Sequence, residues 1–410
     1  MALKIQPGGN LPRVKLSNQV AIRKMIYHYG PITRAEISRQ LNLTLPTITT
    51  NVSAMLAEGI LREVAPVASD EKAIGRPANP VDIAADCAYF IGVEMRGTRR
   101  QLCVTDMRGH IFYEDASEVP CVDYSTALHS ASKMICDAIS SGAVPPEKIA
   151  RIGFCTPGLM DSKDGLLVIH PGYNWVNKPL RQDLACLTDF HRPIIIENNA
   201  RARANGALMF HPETTQDCNS FAYMFISTGI ACPFILNNGL MNAIALGAGE
   251  VGHMVLDPLG PKCRCGNRGC LESVSSDAAI LHACEAAIAA GNAPILAELC
   301  GEDALTMELV LQAQKAGESS VCNVLQRALY YIGLAIANIY NFIQPNVLLI
   351  EGKLFTNLNN RQTMLDIVND NLYSTTIGNA NFVFVEPDDR SGALGAAATA
   401  IRDYLEDTSL

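Results

Sequence analysis

Four residues in the second half of the chain have the types and spacing to hold a metal ion. His253 precedes the run Cys263-Arg264-Cys265-Gly266-Asn267-Arg268-Gly269-Cys270, so three thiols lie close together with an imidazole ten residues before the first of them. Three thiolates and one imidazole complete the tetrahedral Cys3His shell of zinc, and the glycines between them let the backbone wrap the ion. A shell closed by four protein ligands leaves no position for a substrate. One structural zinc per chain is therefore expected, not a catalytic one. The chain has 14 cysteines, and the others show no disulfide-like framework, which fits a reducing compartment.

The elements that must carry this cluster read as an α/β body. Tyr89–Glu94 and Gln101–Asp106 predict strands around a turn, and Ile152–Cys155, Ile194–Glu197, Phe221–Ile226 and Val347–Ile350 are short apolar runs typical of buried strands. Helical stretches lie between several of them, and 410 residues exceed one simple sheet, so two lobes are expected. Apolar residues make up 49% and charged ones 18%, which excludes a disordered chain. No apolar run reaches the roughly 20 residues of a membrane span. The N-terminal sequence MALKIQPGGNLPRVK lacks an apolar core with a cleavage site, so a cytoplasmic protein is expected.

The first 81 residues differ from the rest. They carry ten Lys/Arg against five Asp/Glu, whereas the whole chain has a net charge of −9. Ser17 is placed to cap a first helix with Val20, Ile22, Met25, Ile26 and Tyr29 at helical spacing, and Gly30-Pro31 stops it. Thr33 with Glu36 predicts a capping box on a second helix. Thr44 caps a third, with Pro46 in its first turn and Val52, Met55 and Leu56 facing inward. Gly59 ends it, and Ile60–Val64 predicts the first strand of a wing. Three short helices and a wing form a winged helix-turn-helix, whose last helix enters the major groove. Thr44, Thr47, Thr50 and Asn51 are the candidate base or phosphate contacts on that helix. Arg76, between Gly75 and Pro77, suits a narrow minor groove. Arg34 and Arg23 are candidate phosphate contacts.

Gly249-Glu250-Val251-Gly252-His253 followed by the cysteine run and Leu271-Glu272 resembles the signature of the ROK family of sugar kinases and sugar-responsive repressors. Thr156-Pro157-Gly158, Glu197-Asn198-Asn199-Ala200, Ser227-Thr228-Gly229, Gln344-Pro345-Asn346 and Gly392–Ala396 follow in the family's order. A basic head in front of such a body resembles the repressor branch, which includes the regulators of N-acetylglucosamine and glucose uptake. The resemblance implies a two-lobed, actin-like sugar-kinase fold with a sugar cleft. It divides the chain into a head (1–81), a small lobe (82–196 with 390–410) and a large lobe (197–389) carrying the zinc module and oligomerisation helices. It implies that Asn198, Asn199, Glu250, His253 and Glu272 meet the sugar, with His253 serving both zinc and sugar.

The departures from the kinase pattern decide between the branches. Family kinases use an aspartate as general base where this chain has Asn199, which cannot take the proton; losing such a base costs about 10²–10⁴ in rate. The first phosphate loop reads Glu94-Met95-Arg96-Gly97-Thr98 instead of Asp-x-Gly-Gly-Thr. The second, Thr228-Gly229-Ile230-Ala231-Cys232-Pro233, lacks later glycines, and an adenosine-side Gly-Gly is Glu351-Gly352. Phosphoryl transfer depends on these parts. No catalytic residue is therefore expected. The loop His170–Trp175 lacks the family's Asn after its Pro, leaving the sugar open, and Trp175 is expected to pack, not to hold sugar.

The expected function is a sugar-responsive DNA-binding repressor of carbohydrate genes whose kinase-like body is inactive and senses a sugar or sugar phosphate. Its expected partners are double-stranded operator DNA and further copies of itself, as a homodimer or homotetramer, with no membrane. The alternative is an ATP-dependent hexose or N-acetylhexosamine kinase with an accessory head. Control by a regulatory protein partner is a third reading, against which the retained polar set argues.

Overall fold

The computed structural model describes residues 11–65, 79–119, 123–170, 172–215, 218–241, 246–373 and 380–408. They form two compact units, one of residues 1–216 with 392–410 and one of residues 217–391.

The first unit opens with α1 (Leu11–Tyr29), α2 (Arg34–Leu41) and α3 (Leu45–Ala57), then β1 (Leu61–Glu63) paired antiparallel with β2 (Val81–Ile83). Local chemistry sets most of these boundaries. The Thr33 hydroxyl accepts from the Glu36 N–H while the Glu36 carboxylate accepts from the Thr33 N–H, a complete capping box on α2. Thr44 caps α3, with Pro46 in its first turn, and Gly59 leaves the helix at φ +75°. Helix α1 differs from expectation. It starts at Leu11, and Ser17 lies inside it, because Pro12 is tolerated in a first turn and Arg13, Lys15 and Leu16 are good helix formers.

The body of this unit is a five-stranded sheet in the order β10-β6-β3-β4-β5. Strands β3 (Tyr89–Arg96), β4 (Arg99–Thr105) and β5 (Ile111–Glu118) form an antiparallel meander, and β6 (Ile149–Thr156) and β10 (Ile194–Asn198) add in parallel. β3 is buried almost throughout and therefore runs nearly unbroken in apolar residues, whereas β5 alternates as an edge strand does. A small sheet of β7 (Leu159–Asp161), β8 (Leu166–His170) and β9 (Trp175–Lys178) lies between β6 and β10 in sequence. The helices are α4 (Tyr124–Ser140), α5 (Leu180–Thr188), α6 (Asn199–Phe210) and the short α7 (Pro212–Thr215).

The second unit has a sheet in the order β14-β13-β11-β15-β16, with β12 paired to β11. Its strands are β11 (Ser220–Ile226), β12 (Ile230–Ala231), β13 (Phe234–Leu236), β14 (Gly239–Leu240), β15 (Val347–Glu351) and β16 (Phe382–Val385). Its helices are α8 (Leu271–Ser275), α9 (Asp277–Ala289), α10 (Pro294–Cys300), α11 (Met307–Lys315), α12 (Ser319–Ile343) and α13 (Leu358–Asn371). The buried stripe Val321, Leu325, Ala328, Ile332, Ile336 and Tyr340 puts α12 against the sheet. No single helix among the described residues is long and apolar enough to cross a membrane.

The chain then returns to the first unit as α14 (Ser391–Glu406). Its Ala- and Gly-rich sequence permits backbone contact with the sheet. A Cβ on Gly153 of β6 would fall 1.8 Å from the Ala396 carbonyl oxygen, so only glycine fits there.

Two expected boundaries move. The division expected at 196/197 falls near 216/217, because α6 packs on β6 and β10 of the first sheet. The head is not a separate body either. Ile22, Ile26 and Tyr27 of α1 and Ile37, Ile48 and Val52 share one core with Phe90, Met209, Ile401 and Tyr404.

Candidate functional site

The four candidate metal ligands come together in the second unit. The ligand atoms of His253, Cys263, Cys265 and Cys270 all lie within 4.8 Å of one another. Cys265 Sγ is 3.6 Å from Cys270 Sγ, and Cys263 Sγ is 3.7 Å from His253 Nδ1. Tetrahedral bonds of about 2.3 Å to sulfur and 2.0–2.1 Å to nitrogen give edges of about 3.6–3.8 Å. The donors are thus spaced to receive such an ion. His253 ends a 3-10 turn that starts after Glu250, and Cys270 immediately precedes α8. The connecting loop is drawn tight: Cys263 N–H donates to the Asn267 carbonyl at 2.8 Å and Leu256 N–H to that of Gly269 at 2.9 Å. Gly269 has φ +66°, and a Cβ there would sit 1.5 Å from the Asp257 carbonyl oxygen. The backbone N–H of Asn267 holds the Cys265 thiol below its ordinary pKa, while burial first, and neighbouring thiols next, push Cys270 up to about 12. A bound cation would favour all three thiolates.

Two of the expected sugar-facing acids lie beside this centre in sequence. Glu272, 9% exposed, is fully engaged. Its Oε1 accepts from Arg264 at 3.0 Å (Nε) and 2.8 Å (Nη2), and its Oε2 accepts from the Ile230 N–H at 3.2 Å. Arg264 stands between Cys263 and Cys265, so the loop of the candidate metal ligands supplies the counter-charge of Glu272. Glu250 is half-buried, and its carbonyl accepts from the His253 N–H at 3.1 Å.

In the first unit, Asn198 and Asn199 start α6. Asn198 is an N-cap: its Oδ1 accepts from the N–H groups of Ala200 (2.9 Å) and Arg201 (3.2 Å), and its Nδ2 donates to Gly158 O at 3.0 Å. Its side chain is committed to structure, which differs from a freely presented sugar ligand. Asn199, 6% exposed, directs Nδ2 to Glu94 Oε1 at 3.5 Å. Glu94 in turn receives a fork from Arg203, Nη1 to Oε1 at 2.6 Å and Nη2 to Oε2 at 3.0 Å, with side chains 3% and 1% exposed. Burial raises the Glu94 carboxyl, but the charge and hydrogen bonds of Arg203, with Arg96 and Asn199, bring it below the ordinary range. A buried ion pair therefore occupies the corner between the expected first phosphate loop and the expected base position. Arg203 escaped the sequence reading. At the position where the resemblance implies an adenosine-side Gly-Gly, buried Glu351 accepts from Tyr223 Oη at 2.7 Å.

The loop after β8 folds on itself. Trp175, 6% exposed, packs with Tyr173, His170 and Tyr124 at centroid distances of 5.0, 5.1 and 5.4 Å, as expected of a packing residue.

On the head, Thr44 and Thr47 hydrogen-bond each other at 2.8 Å at the start of α3, and exposed Thr50 donates to Pro46 O at 3.0 Å. Asn51 does not belong to that exposed face. It is 4% exposed and donates to Thr47 O at 2.8 Å. Its spacing with Ile48, Val52 and Met55 is that of the inner face, a signal present in the sequence. Thr49 and Ser53 are exposed instead. Arg23 is 1% exposed and donates to the Asp407 carbonyl, so it cannot reach a phosphate. Arg34 is paired with Glu63 at 3.0 Å, which ties α2 to β1. Arg76 lies outside the described residues.

Comparison with known proteins follows the same lines. The sequence pattern of the ROK family matches residues 90–403. The xylose repressor of Bacillus subtilis (strain 168) is 26% identical over 397 residues, covering 96% of this chain and 97% of its own. The DNA-binding transcriptional dual regulator NagC of Escherichia coli (strain K12) is 25% identical over 351 residues, covering 84% of this chain and 82% of its own. Among solved structures, a ROK family transcriptional regulator described as a homologue of the E. coli MLC protein superposes with a TM-score of 0.80. It is 24% identical and covers 96% of this chain and 97% of its own, a likeness of fold. A ROK glucokinase from Streptomyces griseus, solved with glucose and AMPPNP, gives a TM-score of 0.62 at 23% identity. It covers 76% of this chain and 99% of its own.

Proposed function

Because the chain belongs to the ROK family, we propose that it is a sugar-responsive, DNA-binding transcriptional repressor of carbohydrate uptake or catabolism genes. Relatives that match it over 96% and 97% of its length are named xylose repressors, and the NagC relative, matching over 84%, is named a DNA-binding transcriptional dual regulator. The observation that carries the non-enzymatic reading is the buried Glu94–Arg203 pair against Asn199. An amide stands where a general base would be needed, and the adjoining corner is filled by internally matched charge. The three helices and hairpin at the N-terminus are the winged helix-turn-helix, with Thr44 capping α3, Thr47 and Thr50 on it and Arg76 beyond β1 meeting operator DNA. Such heads work in pairs on two half-sites, so a homodimer or homotetramer is the working form.

The effector is a sugar or sugar phosphate. Asn199, Glu250, His253 and Glu272 supply its hydrogen-bonding groups, and Asn198 contributes by fixing the start of α6. A polyol requires mixed donors and acceptors of this kind. The metal is one structural zinc per chain, held by His253, Cys263, Cys265 and Cys270, which supplies folding free energy to its loop. With Nδ1 of His253 turned to the thiols, Nε2 is the nitrogen left for the sugar. The effector changes DNA affinity through its different affinities for two states of the protein, a coupling of typically about 1–3 kcal/mol.

The test is a thermal-shift screen of pentoses, hexoses, N-acetylhexosamines and their phosphates, with DNA binding measured alongside and without each one. At least one sugar is expected to bind and to change DNA affinity, with no ATP consumption. ATP-dependent turnover on any of these sugars would overturn the repressor-only reading.

A further inference from the structure

Helix α14 and helix α6 make backbone contact inside the first unit. A Cβ on Gly395 would fall 2.4 Å from Ala202 O and 2.8 Å from Arg203 N. Further along, Asn205 Nδ2 donates to Thr399 Oγ1 at 2.9 Å, and Arg402 Nη1 donates to Asn205 Oδ1 at 3.1 Å. Interfaces this close leave little room for one helix to move without the other.

Both ends of this helix pair carry specific contacts. At one end α6 begins with Asn199, and the first turn of α14 lies directly on the Glu94 carboxylate: a Cβ on Gly392 would be 2.1 Å from Glu94 Cδ. Cys155 Sγ also donates to Gly392 O at 3.4 Å. At the other end both helices hold α1 of the head. Tyr27 Oη donates to Met209 O at 3.2 Å, at the end of α6. Buried Arg23 donates to the Asp407 carbonyl, and Lys24 Nζ is 2.8 Å from Glu406 Oε1. Arg151 of β6 braces the same end of α14, bonding Asp403 at 2.7 Å and Asp407, with its guanidinium 5.0 Å from the Tyr404 ring.

We propose that the α6–α14 pair is the coupling element of this regulator: it spans from the Asn199–Glu94–Arg203 cluster to helix α1, and a change at the cluster moves the head through it. Arg23, Asn205, Thr399 and Gly392 are its positioning residues. The proposal rests on the regulator reading above in taking the cluster to be the place where the body senses its effector. A head that shares its core with α14 cannot report by swinging on a slack tether; it reports by displacement of α1 against that core.

Amide hydrogen exchange on the full-length protein tests this without any ligand or DNA. Glu94→Gln perturbs one end. Exchange should quicken by about 5-fold or more, the lower end of typical coupling, in both the first turn of α14 and residues 20–29 of α1, while α4 stays as in the wild type. Thr399→Val, which removes one bond of the pair at nearly constant volume, should give the same pattern in α1 and serves if the first variant does not fold. Coupling is reciprocal, so Arg23→Gln should be felt at residues 391–396. An unchanged α1 in Glu94→Gln or Thr399→Val, or an equal response in α4, would overturn the proposal. Because no sugar is used, that failure is distinct from a sugar screen in which nothing binds, which would strike the effector reading alone.

Discussion

Replacing Arg203 by Met removes one half of a buried ion pair at nearly constant volume. Glu94, 3% exposed, would keep only the Asn199 amide at 3.5 Å and the more distant charge of Arg96. Breaking a buried pair from one side costs about 3–5 kcal/mol, because the remaining charge stays desolvated. For a unit of this size each kcal/mol lowers the midpoint by about 2–4 °C, so a drop of about 6–20 °C is expected. Trp175 is the only tryptophan and lies buried in the first unit, so its fluorescence reports this unit specifically. The pH dependence fixes the cause. In the wild type, Glu94 titrates below its ordinary value, so its contribution is full above about pH 4.5 and is lost as pH falls through the folded value. In Arg203→Met, burial, the largest influence, outweighs the remaining Asn199 and Arg96 and is expected to raise the folded value above the unfolded one. The sign then reverses, and the gap between variant and wild type narrows as pH falls. Glu94→Leu with Arg203→Met should recover most of the loss, since a matched apolar replacement is often neutral. A loss under about 1 kcal/mol, or a double variant no better than the single one, would refute the reasoning.

Other outcomes are expected on the same grounds. Metal analysis of purified protein should find one zinc per chain, and Cys265→Ser should lose it and destabilise the second unit; zinc-free protein with all thiols reactive contradicts the assignment. Arg76→Ala should weaken operator binding and reduce the slope of affinity against salt by about one, because a cationic contact releases a counterion. Asn51→Ala should act instead on stability, read by thermal unfolding, because Asn51 is buried against Thr47 O. Glu250→Ala should abolish the effect of sugar on DNA binding, measured by titration, and leave binding without sugar nearly unchanged.

What the sequence made legible was local. The capping box of Thr33 and Glu36, the stop at Gly59 and the apolar strand runs are decided within a few residues, and the structure has them where expected. The clustering of the four candidate metal ligands was legible for the same reason, since they all lie between residues 253 and 270. What stayed hidden was joined across the chain. Arg203 and Glu94 are 109 residues apart, and Arg23 and Asp407 are 384 apart. A charge on an otherwise apolar face reads as solvated until its partner is known, so Arg23 looked like a phosphate contact and Arg203 like nothing. Asn51 is different, because its spacing with Ile48 and Met55 already put it inside. There the residue type outweighed the periodicity, wrongly.

The ion pair at Glu94 bears on both halves of the functional reading. Phosphoryl transfer needs cations and N–H groups that stay open until a nucleotide arrives. Here the guanidinium of Arg203 is already matched in a two-bond fork, at 1% exposure, so an incoming phosphate would have to displace a carboxylate that is better placed and equally desolvated. The pair is therefore a poor anion site. It is a firm support, however: with no side chain at Gly392, the first turn of α14 rests on the Glu94 carboxylate itself. Were the body a kinase, this pair would have to open before a phosphate could enter the corner. A regulator whose head is held by the far end of α14 gains from it, because a support that is rigid on one side of the cluster passes on what happens at Asn199 instead of absorbing it. On the proposed regulator reading, the poor anion site and the path to the head both involve this pair.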